Sequence, residues 1–269
     1  MRVLFVKQDH ASPSGLVGEA FASLGWDEFE LTVVPESRYT TPDVPAFFPS
    51  ADLFDAIVLY GAAWSVYDTA TIGSWVGDEI AFARSAVSLG VPVLGICFGG
   101  QLLAAALGGS VAAAPTPEIG WIPVSEDPSG LIEPGPWFSW HFDRFTTPPT
   151  AAVLSRTAAA DQAFCAGRSL GLQFHPEVNE EVLDTWLRVG GYDQLAGLDI
   201  DAESLLAQTR TLTDAAAART FELVRRFVTD VARRPAAPLP PLPEGPTAPG
   251  TGTGTGTGTG DATVLTPAR

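Results

Sequence analysis

The chain has 269 residues, 46% of them hydrophobic and 17% charged, a composition that excludes fibrous and wholly disordered classes. Fifteen Lys and Arg against 31 Asp and Glu give a formal net charge of -16. So acidic a chain argues against nucleic-acid binding and against anionic membrane surfaces, both of which run on clustered cations. Two cysteines in this length form no disulfide framework, and no Cys/His spacing suggests a metal site. The first apolar run is too short for a signal peptide, and none reaches the roughly 18–20 residues needed to span a bilayer. The expected compartment is the cytoplasm.

In chain order, Val3 to Val6 reads as a strand and Leu16 to Leu24 as a helix, with a polar loop from Gln8 to Gly15 between them. Glu30 to Val34 is a second strand signal and Asp55 to Tyr60 a third, ending at Gly61. A helical pattern covers Ile72 to Leu89, a fourth strand Val91 to Leu94, and another helix Gly99 to Leu107. Near-continuous apolar strands separated by helices imply a mostly parallel sheet covered on both faces. Between Ser110 and Gly171 the pattern changes to short β-like pieces: Gly120 to Val124, Ala151 to Ser155, Gln162 to Ala166 and, running on, Leu170 to Phe174. These suit antiparallel hairpins at the sheet edge. The aromatic run Trp137 to Trp140 reads as core or pocket wall.

After Glu177 the chain turns helical, over Glu180 to Arg188 and Ala202 to Arg234, making 178–234 a helical C-terminal part of a domain spanning 1–234. Residues 235–269 are rich in Pro, Gly and Thr and end in five Thr-Gly pairs followed by a short stub. Such a segment buries too little apolar surface to offset the entropy of ordering, so a disordered tail is expected. Pro238 to Pro243 could serve as a polyproline ligand, with an inert tail as the alternative.

The strongest chemical signal is Gly95-Ile-Cys97-Phe-Gly99 between a strand and a helix. This is the nucleophile-elbow pattern with Cys in place of Ser. The glycines leave room for a strained turn, and a helix N-terminus favours a nucleophilic thiolate at Cys97. The Phe98 N–H would then face a reacting carbonyl. Downstream, His175-Pro-Glu177 ends another strand signal. In extended chain residues two apart point the same way, so Glu177 could orient His175, leaving the second ring nitrogen free to take the Cys97 proton. Cys165 lacks an elbow and reads as an inert buried thiol, and His10 as loop surface.

Several of these segments, in order over about residues 1 to 230, resemble the class I, triad-type glutamine amidotransferases and within them the stand-alone, GMP-synthase-like branch. Gly95 to Ala104 is similar to the family's nucleophile segment and Gly171 to Val178 to its His/Glu segment. Leu59 to Asp68 is similar to its oxyanion loop, usually Gly-Gly-Pro-x-Ser-Val-x-Asp. Glu118 to Val124 and Trp140 to Phe145 are similar to segments of the stand-alone branch. The resemblance implies a flavodoxin-like α/β fold, a three-layer sandwich with a small antiparallel β addition and C-terminal helices. It implies Cys97 as nucleophile, His175 as base, Glu177 as its orienter, oxyanion N–H groups from Gly61 and Phe98, and Gln101 beside the substrate. His141 could line the substrate side or be a structural histidine. Ala62-Ala63-Trp64 departs from the usual Gly-Pro-x, and Gly100 stands where relatives carry His or Ala, a change expected to be harmless.

The implied activity is hydrolysis of the glutamine side-chain amide through a γ-glutamyl thioester, without metal or organic cofactor. The ammonia would go to an acceptor on another chain, since no Gly-rich nucleotide loop follows Glu177. The alternatives are a γ-glutamyl hydrolase or peptidase using the same triad, and a non-catalytic regulatory relative.

Overall fold

A computed structural model describes residues 1–240. Nine strands and six α-helices appear among the described residues: β1 (Arg2–Lys7), α1 (Gly15–Ser23), β2 (Asp27–Thr32), β3 (Ala56–Leu59), α2 (Thr69–Ser88), β4 (Val93–Ile96), α3 (Phe98–Ala106), β5 (Val111–Pro123), β6 (Pro136–Phe145), β7 (Ala152–Arg156), β8 (Asp161–Ala166), β9 (Ser169–Leu172), α4 (Glu180–Trp186), α5 (Tyr192–Gly197) and α6 (Ala202–Arg226). The main sheet has the order β2-β1-β3-β4-β9-β8-β7. The first five run parallel, while β8 and β7 are antiparallel to their neighbours. The parallel part has the flavodoxin strand order, which places ligands outside the carboxyl ends of the strands.

Alternation along the strands divides the core. Leu4 and Val6 of β1, Ile57 and Leu59 of β3 and Val93 of β4 pack on one face with Trp75, Phe82 and Leu102 of α2 and α3. Val3, Phe5, Val58 and Leu94 pack on the other with Phe21 of α1 and Leu223 and Val224 of α6. Because side chains alternate across a strand, a strand covered on both faces must be apolar throughout. That is why β1, β3 and β4 are legible as continuous apolar runs. Helix starts follow their caps: the Asp68, Asn179 and Asp201 carboxyl or amide oxygens accept from the N–H groups of Thr71, Val182 and Ser204.

The structure moves several expected elements. The second strand lies at Asp27–Thr32, earlier than Glu30 to Val34, because it is an exposed, charged edge strand with little apolar signal. Val33 and Val34 are buried past its end. Gly120 to Val124 is not at the main sheet's edge. It belongs to β5, which pairs only with β6 in a separate antiparallel ribbon. The segment expected from Leu170 to Phe174 is β9, inside the main sheet and parallel to β4. The aromatic run Trp137 to Trp140 is part of strand β6, which the sequence reading did not assign. A third apolar cluster, with Phe138, Val178, Leu183 and Leu206, roots this ribbon on the C-terminal helices. The helix expected to run to Arg234 ends its regular part at Arg226 and continues as a wider helical turn to Val231. Packing continues past residue 234. Ala237 is buried and Leu239 lies against the core, so the boundary expected at 235 falls within packed chain. The rest of the expected tail, 241–269, including Pro241 to Pro243, lies outside the described residues.

At the β4–α3 junction, a Cβ on Gly99 would lie 2.1 Å from the Leu59 carbonyl oxygen, and one on Gly100 would lie 2.3 Å from that of Leu172. Both neighbours are sheet backbone and cannot retreat. Gly100 is therefore not a neutral position here, contrary to the reading from relatives. We expect Gly99→Ala to destabilise the fold by about 2–3 kcal/mol, as overpacking does. Thermal unfolding would show a drop of roughly 5–10 °C, and an unchanged melting temperature would refute the close approach.

Candidate active site

Cys97 lies between β4 and α3 with φ 49° and ψ −107°. For a residue with a Cβ this is a strained conformation, costing on the order of 1–3 kcal/mol. Three hydrogen bonds hold the elbow: Cys97 N–H to the Leu172 carbonyl (2.8 Å), Gln101 N–H to the Cys97 carbonyl (2.9 Å) and Gly99 N–H to the Tyr60 carbonyl (3.1 Å). The neighbours of β4 on both sides, β3 and β9, thus supply the fixed points.

His175 follows β9 and is buried. Its N–H donates to the Phe138 carbonyl of the ribbon (2.7 Å), and Thr220 of α6 donates to the Pro176 carbonyl (2.7 Å). The His175 Nδ1 lies 2.7 Å from Glu177 Oε1. Sequence spacing suggests that extended chain would bring these two together; instead β9 ends at Leu172 and Pro176–Glu177 form a turn. The Trp186 ring packs edge-on against the imidazole at 4.7 Å between centroids, held by its own N–H donating to the Ala11 carbonyl. His175 Nε2 has no hydrogen-bond partner among the described residues. Burial disfavours the imidazolium, yet the Glu177 carboxylate and the nearby Cys97 sulfur favour it more, and the His175 pKa is pushed up to about 10.

These groups open onto a cavity of about 330 Å³ whose wall includes Gly61, Cys97, Phe98, Gln101, Trp140 and His175. A Cβ on Gly61 would lie 2.9 Å from His175 Cε1, so the close packing of this loop on the imidazole requires glycine. Neither the Gly61 nor the Phe98 N–H donates to another described residue outside regular helix and sheet ladders. Beyond Ala62-Ala63-Trp64, Ser65 and Tyr67 donate to the two carboxylate oxygens of Asp143 on β6. The departure from Gly-Pro-x is thus accompanied by an external brace.

Gln101 is buried, with Nε2 3.4 Å from Gln173 Oε1. Gln173, whose Nε2 lies 3.7 Å from the Cys97 sulfur, was not singled out from sequence. Its position two residues before His175 was the available signal. His141 borders the cavity; its Nδ1 is hydrogen-bonded to the Asp143 carbonyl (3.0 Å), and its Nε2 lies 3.1 Å from Glu118 Oε2 without an aligned hydrogen bond. Burial raises the Glu118 pKa, but the nearby His141 and hydrogen bonds from Thr157 and Gln162 outweigh it and the net direction is down. Cys165 is buried in β8 beside the Arg234 guanidinium, apart from the cavity; burial raises its thiol pKa against that cation. His10 is exposed. No cluster of three metal-ligating side chains occurs among the described residues, and no helix there is long and apolar enough to cross a membrane.

Comparison with known proteins adds the following. The family model for class-I glutamine amidotransferases matches residues 20–188. A GMP synthase (glutamine-hydrolyzing) of Aeropyrum pernix is 39% identical over 149 residues, half of this chain but only 27% of that protein. This chain therefore spans about a quarter of that relative's length. In Sulfolobus acidocaldarius, one of the subunits of a glutamine-hydrolyzing GMP synthase is 32% identical over 167 residues, 56% of this chain and 85% of that one. The crystal structure of a glutamine amidotransferase from Thermotoga maritima superposes with a TM-score of 0.74 at 26% identity, covering 85% of this chain and 98% of that one.

A folded-state pKa of about 10 against 6.5 for the ordinary imidazole has a thermodynamic consequence. His175 stabilises the fold fully below about pH 6.5, and that contribution is lost as pH rises through about 10. Denaturant midpoints measured across this window are expected to fall in the wild type and to fall less in Glu177→Gln. Equal slopes in the two proteins would show that Glu177 does not set the imidazole's charge.

Proposed function

The chain belongs to the class I glutamine amidotransferase family, and from that premise we propose that it hydrolyses the side-chain amide of glutamine and passes the ammonia to an acceptor on another chain. The observation that carries this reading is the convergence of Cys97 on a strained elbow with the His175–Glu177 pair at one cavity. In this mechanism the Cys97 thiolate attacks the amide carbon. The tetrahedral oxyanion rests on the N–H groups of Phe98 and Gly61, each such donor being worth about 10²–10³ in rate. The His175 imidazolium gives its proton to the departing nitrogen, which leaves as ammonia, and a γ-glutamyl thioester remains on Cys97. Neutral His175 then takes a proton from water, the hydroxide adds to the thioester carbon, and glutamate leaves as the thiolate and imidazolium are restored. General acid–base help of this kind contributes roughly 10²–10⁴. Glu177 keeps the ring oriented and stabilises its cation. Gln101 and the wall formed by Trp140 and His141 bound the substrate space.

The Sulfolobus acidocaldarius relative is, by its name, one component of a glutamine-hydrolyzing GMP synthase made of separate chains. A separate synthase chain as ammonia acceptor agrees with that organisation. Both thiols are free and buried, in keeping with the reducing cytoplasm.

Purified protein is expected to release glutamate from L-glutamine, and Cys97→Ala to lower that rate by about 10³-fold or more. Turnover of γ-glutamyl peptides with none of glutamine would overturn the amidotransferase assignment in favour of a peptidase. Full activity in Cys97→Ala would overturn the nucleophile.

A further inference from the structure

The two carbonyls flanking the Gly61 α-carbon are each held by a side chain from the loop that follows β1. Gln8 Nε2 lies 3.4 Å from the Tyr60 carbonyl oxygen, which also accepts from Gly99 N–H. Ser12 Oγ donates to the Gly61 carbonyl oxygen at 3.1 Å. A buried carboxyl group lies beside each of these donors. Gln8 Nε2 also donates to Glu79 Oε1 of α2 (2.9 Å), and both residues are wholly buried. Asp9 Oδ1 lies 3.2 Å from Ser12 Oγ and accepts from Ala11 N–H (2.8 Å).

In a trans peptide the carbonyl and the next N–H point in opposite directions, and no cis peptide occurs among the described residues. Holding the Tyr60 carbonyl therefore aims the Gly61 N–H, and holding the Gly61 carbonyl aims the Ala62 N–H. Neither N–H is taken by another described residue. The pair Gln8 and Glu79 is a poor choice for packing alone. Gln8 Oε1 and Glu79 Oε2 are buried without partners among the described residues, and an apolar pair of similar size would serve stability better. What the polar pair supplies is direction. The same loop reaches the triad, since Leu16 N–H donates to the Glu177 carbonyl at 2.9 Å.

We propose that the loop after β1 is a clamp on the oxyanion strand, in which Gln8, backed by Glu79, and Ser12 are positioning residues that aim the Gly61 and Ala62 N–H groups at the substrate oxygen. The inference rests on the glutaminase reading above. It accounts for a loop that works with Ala62-Ala63-Trp64 in place of Gly-Pro-x: the geometry a glycine–proline pair would preset is imposed from outside. Burial pushes the Glu79 carboxyl up to about 8, so a neutral carboxamide of the same shape is a faithful substitute there.

The test compares full-length Ser12→Ala, Gln8→Leu, Glu79→Leu and Glu79→Gln with the wild type. Glutamine kinetics are measured alongside the backbone ¹⁵N–¹H resonances of Gly61 and Ala62. Misaimed donors are expected to lower kcat roughly tenfold, less than the loss of a donor outright, with KM held within about twofold. The Gly61 resonance should move in Gln8→Leu and Glu79→Leu, and the Ala62 resonance in Ser12→Ala. Glu79→Gln should recover both kcat and the Gly61 resonance relative to Glu79→Leu. Unmoved resonances, a change in KM alone, or a Glu79→Gln variant as impaired as Glu79→Leu would each overturn the clamp. Should Gln8→Leu fail to fold, Ser12→Ala, in a half-buried loop position, carries the test. If the wild type releases no glutamate, the glutaminase reading falls, and the amide resonances still decide the clamp.

Discussion

The site depends on a backbone conformation that Cys97 does not prefer. With φ at 49°, the residue remains there because its N–H is tied to β9, its carbonyl to Gln101 and the following turn to β3. The two glycines after it let α3 start directly against the sheet, with backbone atoms where side chains would otherwise stand. Strain of this size is tolerable when packed, hydrogen-bonded surroundings leave no alternative. Its result is a Cys97 that is buried yet borders the cavity, at the carboxyl ends of the strands and at a helix N-terminus.

Everything else at the site is arranged around that fixed point by elements far apart in the chain. The ribbon β5–β6 carries the Phe138 carbonyl that anchors His175 and the Asp143 carboxylate that braces the loop after β3. The C-terminal helices hold the ribbon through a shared apolar cluster and hold the Pro176 carbonyl through Thr220. The helical part after Glu177 is therefore a support for the imidazole as well as a cover for the sheet. Electrostatics follow from the same enclosure. The Glu177 carboxylate 2.7 Å from the ring and the nearby Cys97 sulfur together outweigh the cost of burial, and an imidazolium is favoured.

The acidic surface has little part in this chemistry. The long-range field of a chain with net charge -16 bears on solubility and on which partners can approach. The reaction proposed above rests on a few groups at one cavity, held by hydrogen bonds to backbone.

Periodicity was enough for β1, β3, β4, α2 and α3, because strands covered on both faces are apolar at every position and helices carry a repeating stripe. Short motifs were enough to bring Cys97, His175 and Glu177 forward as candidates, and the fold sets Cys97 and His175 at one cavity with Glu177 against the imidazole. Neither signal reaches contacts between distant segments. Strand β2 was misplaced because an edge strand need not be apolar, and β6 was missed because its aromatic residues serve a ribbon outside the main sheet. Gln173, the brace at Asp143 and the paired polar side chains Gln8 and Glu79 look ordinary in one dimension. Only packing of the β1 loop, α2 and the ribbon around the elbow gives them partners. The sequence by itself determined which groups are candidates for the chemistry proposed above, since that depends on residue type and short spacing. The tertiary structure decided where each group points, since orientation is set by hydrogen bonds between elements that the chain brings together only on folding.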